Sequence, residues 1–242
     1  MIRRTAPFTI KGFIYYQGEE DDLRAADYRE MMYYLVEQWR SDWNDNNLPF
    51  LFVQLTMYAS RQEIDSGSPP RHWCLLRESQ YLASLDIANT GLAVIIDCGE
   101  LDNIHPYDKQ TVGFRLALQA LKKVYKMDID ADAPVFSWLE EQGSALRLHF
   151  DNAQCGLEFR ACAESNSTDD INASFEIAGT QGKYYPAQVL IEGDSVILSS
   201  DKVQQPKRAR YAWYKYGPTP LYAKNGLAAM PFRTNRDESV DC

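Results

Sequence analysis

The chain has 242 residues, with 25 Lys and Arg against 34 Asp and Glu, a formal net charge of −9. That length fits one or two domains with a sizeable core, and 45% hydrophobic with 24% charged residues excludes wholesale disorder. The acidic balance argues against sequence-blind binding to nucleic acid, and no apolar run approaches the roughly 18 residues of a membrane-spanning helix.

Residues 1–7 carry two arginines but no apolar stretch behind them, so they are not expected to be a signal peptide. Residues 8–16 then read as a strand. Residues 26–43 read as a helix, because Tyr28, Met31, Met32, Leu35, Val36 and Trp39 recur at helical spacing. Residues 49–55 form a second, continuously apolar strand of the kind buried on both faces of a parallel sheet. A polar loop around Ser66-Gly67-Ser68-Pro69-Pro70 leads to a helix over 71–85. Residues 91–97 are a third strand, and 108–125 a helix with Val112, Leu116, Ala117, Ala120 and Val124 on one face. This alternation is the α/β rhythm.

After about residue 130 the pattern changes to short segments of period two, such as 145–150, 174–177 and 195–198, separated by turn signals like Glu192-Gly193-Asp194. The expected architecture is α/β: a partial three-layer parallel sheet over 1–130, then an all-β, sandwich-like domain over 131–242. The fifteen Tyr and five Trp suit either a sandwich core or a sugar-facing cleft. Five Cys show no metal-ligand spacing. Cys155 and Cys162 are close enough to pair across a hairpin in an oxidising compartment, and otherwise the thiols are idle. Asn166-Ser167-Thr168 and Asn172-Ala173-Ser174 fit the N-glycosylation pattern, which matters only in a eukaryotic secretory setting.

Three histidines limit any imidazole chemistry. His149 sits in mid-strand and reads as structural, and His72 opens a helix. His105 stands just beyond the third strand, and in parallel sheets ligands bind past the carboxyl ends of strands. Asp102, three residues earlier, is placed to orient an imidazole so that its second nitrogen serves as a base. The first strand ends in Gln17-Gly18-Glu19, where an amide N–H and a close backbone approach suit a developing oxyanion; the plain alternative is a turn that closes the strand.

These residues resemble a family. Gly12-Phe13-Ile14-Tyr15-Tyr16-Gln17-Gly18-Glu19 looks like G-[VI]-[IV]-W-Y-Q-G-E, Leu76-Arg77-Glu78-Ser79-Gln80 like L-R-E-[AS]-Q, and Asp102-Asn103-Ile104-His105-Pro106 with Lys109, Val112, Gly113 and Arg115 like D-I-H-P-x-[ND]-K-x-x-V-G-x-R. With Trp39-Arg40, Leu48-Pro49-Phe50 and blocks at 175–179, 208–213 and 225–234 in order, the chain resembles sialate O-acetylesterases, which are SGNH-type carbohydrate esterases. The resemblance implies an SGNH, flavodoxin-like sheet and a Ser-His-Asp mechanism without metal or organic cofactor. It makes His105 the general base and Asp102 its orienting acid. Gln17 and Gly18 become the oxyanion hole, Glu19 a brace for that loop, and Arg77 and Gln80 substrate contacts or supports. The implied partner is an acetylated carbohydrate, with no nucleic acid or membrane, and the implied location is secreted, periplasmic or lysosomal.

Two departures follow. The family's nucleophilic Ser lies in a G-Q-S-N-like turn upstream of Q-G-E, and nothing before Thr9 matches it. The chain is therefore expected to be the C-terminal portion of an esterase and inactive alone, its serine on a missing N-terminal segment. The alternatives are a non-catalytic carbohydrate-binding remnant or an acetylxylan esterase. Glu20-Asp21 also replaces a Ser-Asn pair and adds negative charge near the site. Three geometric expectations result: the first strand lies at a sheet edge, Asp102 and His105 share a side-chain hydrogen bond, and the Gln17 amide faces their cleft.

Overall fold

The computed structural model describes residues 2–6, 8–66, 72–160 and 168–236. The Cys155–Cys162 pairing and the Asn166 sequon lie outside the described residues; Asn172 sits within a short helix, and Cys155 is exposed as a free thiol.

After a one-turn helix α1 (Ile2–Thr5), the first half runs β1 (Phe13–Tyr15), α2 (Ala25–Asp42), β2 (Phe50–Gln54), α3 (Arg61–Asp65), α4 (His72–Asp86), β3 (Thr90–Val94) and α5 (Lys109–Lys123). The three strands are parallel in the order β1-β2-β3. β2 is buried along its whole length, as its unbroken apolar run requires. Its alternate side chains divide between two layers. Phe50 and Phe52 join Tyr28, Met32 and Val36 of α2 and Leu76 and Ala83 of α4, while Leu51 and Val53 join Val112 and Leu116 of α5. The result is the expected three-layer α/β arrangement. Helix starts are fixed locally: Ser60 and Glu63 form a reciprocal capping box at α3, and the Asp108 carboxylate accepts from the Thr111 N–H at the start of α5.

β1 is shorter than the apolar run suggests, and it pairs with β2 alone among the described strands. Ile14, which projects from it, is 67% exposed. The expected edge position is observed.

The second half contains β4 (Val135–Gln142), β5 (Ala145–Asp151), β6 (Leu157–Phe159), α6 (Thr168–Ser174), β7 (Phe175–Ala178), β8 (Tyr184–Pro186), β9 (Gln188–Glu192), β10 (Ser195–Ser199), β11 (Arg208–Tyr211), β12 (Leu221–Ala223) and β13 (Phe232–Arg233). Two four-stranded antiparallel sheets, ordered β4-β5-β10-β9 and β13-β11-β7-β8, enclose a core of Leu146, Leu148, Phe175, Ile177, Val196, Leu198, Tyr211 and Phe232; β6 and β12 form a separate ribbon. That core does not stop at residue 130. Met57, Val94 and Ile96 of the first half belong to the same cluster. Polar links reinforce the junction. Arg233 pairs with Glu78 of α4, Lys215 with Glu63, and the Tyr222 hydroxyl donates to Asp97 at 3.0 Å.

Candidate active site

The parallel sheet delivers its three carboxyl ends to one edge, and Gln17, Gly18, Asp102 and His105 lie on the segments that leave it. Gln17 follows β1 and is held from four sides. Its carbonyl oxygen accepts from Tyr28 Oη (3.0 Å) and Gln80 Nε2 (3.3 Å). Its side-chain Oε1 accepts from Tyr15 Oη (3.0 Å), and its Nε2 donates to Asp21 Oδ2 (2.6 Å). Acceptors sit on the nitrogen side of the amide and donors on the oxygen side, so its orientation is fixed. One Nε2 hydrogen is spent on Asp21 and one remains.

Gly18 has φ 151°, and a Cβ there would lie 3.0 Å from both Gln80 Nε2 and Leu55 Cδ1. Backbone and space both call for glycine. No described residue accepts the Gly18 N–H.

The loop after β3 is tied down by Glu100, which sequence reasoning passed over. Its two oxygens accept from Asn103 Nδ2 (2.8 Å) and the Tyr107 N–H (2.6 Å), and Asn103 Oδ1 accepts from the His105 N–H (3.0 Å). Gly99 lets this loop press against the end of β2: a Cβ there would fall 2.1 Å from the Met57 carbonyl oxygen. His105 is exposed at the tip. Its neighbour Ile104 packs against the same apolar cluster as Tyr15, Tyr16, Tyr58 and Trp73, so the His105 loop and the β1 end border one cluster. Lys109 crosses the same edge, its ammonium 4.8 Å from the centre of the Tyr16 ring. Burial, with Glu19 and Cys98 nearby, pushes the Tyr16 phenol up to about 12.

Several expectations need correction. Asp102 does not bond His105. Its Oδ1 accepts from the Arg61 N–H at 2.7 Å and its N–H donates to the Ala59 carbonyl at 2.9 Å, while φ of 62° turns the chain sharply there. A short Asp tolerates that left-handed conformation and anchors the loop to α3. Among described residues the Glu19 carboxylate makes no hydrogen bond or ion pair, and the brace of the Gln17 loop is Asp21, 6% exposed and also paired with Arg24. The added charge of that acidic stretch is thus partly absorbed within it.

Arg77 and Gln80 do not face a cleft. Arg77 is 1% exposed, and its guanidinium donates to Met57 Sδ (2.9 Å) and to the Tyr214 carbonyl, so it clamps α4 to the second half. Burial lowers its pKa below the usual arginine range. Gln80, wholly buried, accepts from the Leu55 N–H at 2.8 Å while donating to Gln17, and so struts the ends of β2 and β1. Both are supports rather than substrate contacts.

Two serines near this edge are occupied: Ser79 is buried and donates to the Ala25 carbonyl at 2.6 Å, and Ser66 donates to the Glu63 carbonyl at 2.6 Å. Ser68 lies outside the described residues. Neither buried cysteine beside the sheet is reactive by environment. Burial, then the Asp97 carboxylate, raises the Cys98 thiol to about 12. Brief iodoacetamide treatment followed by peptide mapping should therefore label Cys155 and leave Cys74 and Cys98 unlabelled until the protein is unfolded.

Among the described residues no group of three or more His, Cys, Asp and Glu is gathered for a metal ion, and no helix is long and apolar enough to cross a membrane.

This arrangement has relatives. The family model for carbohydrate esterase, sialic acid-specific acetylesterase, matches residues 1–122. The chain belongs to this esterase family. It is 30% identical over 256 residues to the sialate O-acetylesterase of Mus musculus, covering 96% of this chain and 45% of that protein. It is 28% identical to the Homo sapiens sialate O-acetylesterase, covering 96% and 47%. The crystal structure of a carbohydrate acetylesterase from Xanthomonas citri superimposes with a TM-score of 0.81 at 36% identity, covering 96% of this chain and 52% of that one. The chain thus spans about half the length of the curated esterases it matches, and its likeness to them extends across both halves.

Proposed function

We propose that these residues form the histidine-bearing part of a carbohydrate O-acetylesterase acting on sialic acid or a related acetylated sugar, whose nucleophilic serine belongs to a segment outside this sequence. The serine Oγ attacks the acetyl carbonyl while His105 takes its proton. The tetrahedral oxyanion is met by the free hydrogen of Gln17 Nε2 and the Gly18 N–H, His105 returns the proton to the departing sugar oxygen, and water then releases acetate from the acyl-enzyme by the reverse roles. The observation that carries this reading is that the Gln17-Gly18 turn and the His105 loop both leave carboxyl ends of the three-stranded sheet and border one apolar cluster, with an amide locked in orientation and a backbone N–H that no described residue accepts. The exposed flank of β1 supports the placement of the missing segment beside it.

Acetate release tests the reading. Purified residues 1–242 should not turn over an O-acetylated sialic acid or 4-nitrophenyl acetate, because no acyl-enzyme can form, whereas the full-length polypeptide carrying them should. Robust turnover by the 242 residues alone would place the nucleophile within them. Inactivity of the full-length polypeptide on every acetylated sugar offered would favour a non-catalytic remnant.

A further inference from the structure

Among the described residues of the second half, one exposed large aromatic ring is not used by the esterase chemistry. Trp138 lies on β4, an edge strand of its sheet, and is 53% exposed. Its indole stacks on the imidazole of His149 on the adjacent β5, with ring centroids 3.8 Å apart and 7° between planes. A register shift between Phe136 and Trp138 sets the two rings opposite each other, and bulges of this kind re-aim a side chain. His149 is itself held. Its Nδ1 lies 3.4 Å from Ser195 Oγ on β10 and its Nε2 3.8 Å from Glu140 Oε2. One face of the indole is therefore backed by a fixed ring on the β5 side. On the other side no described strand follows β4, and that face looks out over the sheet edge.

We propose that this outer face of Trp138 is a pyranose-stacking platform, a carbohydrate-binding surface additional to the acetyl-ester site; the ligand class rests on the carbohydrate-esterase reading. A flat indole matches the C–H face of a sugar ring, and an indole already stacked on His149 loses little freedom when it binds. A protein partner fits less well. Trp138 and Leu190 are the exposed large hydrophobics among the described residues of this half. Leu190 is on β9, three strands away, or about 14 Å at ordinary strand spacing. The surface between them carries the Arg147–Glu192 ion pair. Such a patch falls far short of the roughly 800 Å² per partner of a stable interface.

Affinity electrophoresis of the 242-residue chain in native gels tests this, with hydroxyethylcellulose, a β-1,4-xylan or mucin cast into the gel. Wild type should be retarded by at least one of the three. Trp138→Ala should weaken the apparent affinity about tenfold, and Trp138→Tyr, which keeps a flat ring, should restore most of it. Acetate release by the full-length polypeptide is measured separately, so a failed esterase reading and a failed platform are separately visible. Retardation by none of the three glycans, equal retardation of Trp138→Ala, or self-association in sedimentation that disappears in Trp138→Ala would each overturn the proposal.

Discussion

In the full-length esterase, His105→Ala should lower kcat/KM on an acetylated sugar by about 10⁴-fold or more, with little change in thermal stability. The ring is exposed, and the loop that carries it is held by Glu100, Asn103 and Asp102 through contacts that do not involve the imidazole. Removing it deletes the base without loosening its support. Asp102 separates two roles. Asn at this position tolerates the positive φ and still accepts from the Arg61 N–H, so Asp102→Asn keeps the loop in place while removing the charge. On the proposed role of Asp102 as partner of the imidazolium, which would draw its second oxygen from the 3.6 Å pairing with the Arg61 guanidinium, a fall in kcat of about 10²-fold or more at unchanged KM is expected. Unchanged kcat would reduce Asp102 to a loop anchor, and His105→Ala retaining more than a tenth of the activity would remove His105 from the mechanism.

The largest effect on stability should come from Asp97→Ala. Asp97 receives a bidentate grip from Arg115 of α5, including a 2.8 Å bond from Nη2 to Oδ2, and a third bond from Tyr222 of the second half. Both members of the ion pair are largely buried, at 6% and 14% side-chain exposure. Deleting one partner strands the other charge in a poorly solvated site, at a cost of about 3–5 kcal/mol. For a chain of this size that corresponds to a fall in Tm on the order of 10 °C. Adding Arg115→Met should recover part of the loss, since a shape-filling apolar side chain removes the stranded charge. Thermal unfolding followed by circular dichroism checks both. A shift below 2 °C for Asp97→Ala would mean that water reaches Arg115 and replaces the pairing.

Long apolar runs announced their elements because burial on two faces leaves little choice of residue, and the three strands, the helices at α2, α4 and α5 and the switch to antiparallel structure were all legible. So was the edge to which Gln17 and His105 belong, since strand order and strand ends follow from the α/β rhythm. What could not be read was which polar side chain meets which. Asp21 read as added negative charge near the site, whereas a six-residue 3-10 turn tucks it under Gln17. Tyr28 fitted the apolar face of α2 by spacing, and its hydroxyl role at Gln17 left no trace in the period. Arg77 and Gln80 belong to a motif that suggested ligand contact, yet their burial depends on Tyr214 and Leu55, distant in sequence, arriving on either side. The Asp102–His105 spacing allowed a bond, and the capping of α3 by Ser60 and Glu63 presents the Arg61 N–H, which takes the carboxylate instead.

The single core that joins Met57, Val94 and Ile96 to Leu146, Phe175 and Val196 also has a consequence for how such esterases can be taken apart. Among the described residues the core runs across residue 130 rather than stopping there. A fragment ending there would present Met57, Val94 and Ile96 to water, and its complement would lose the floor beneath its two sheets. Grafting this sandwich onto another esterase, or replacing it with a different module, therefore means transplanting the stretch around Met57 and the end of β3 with it.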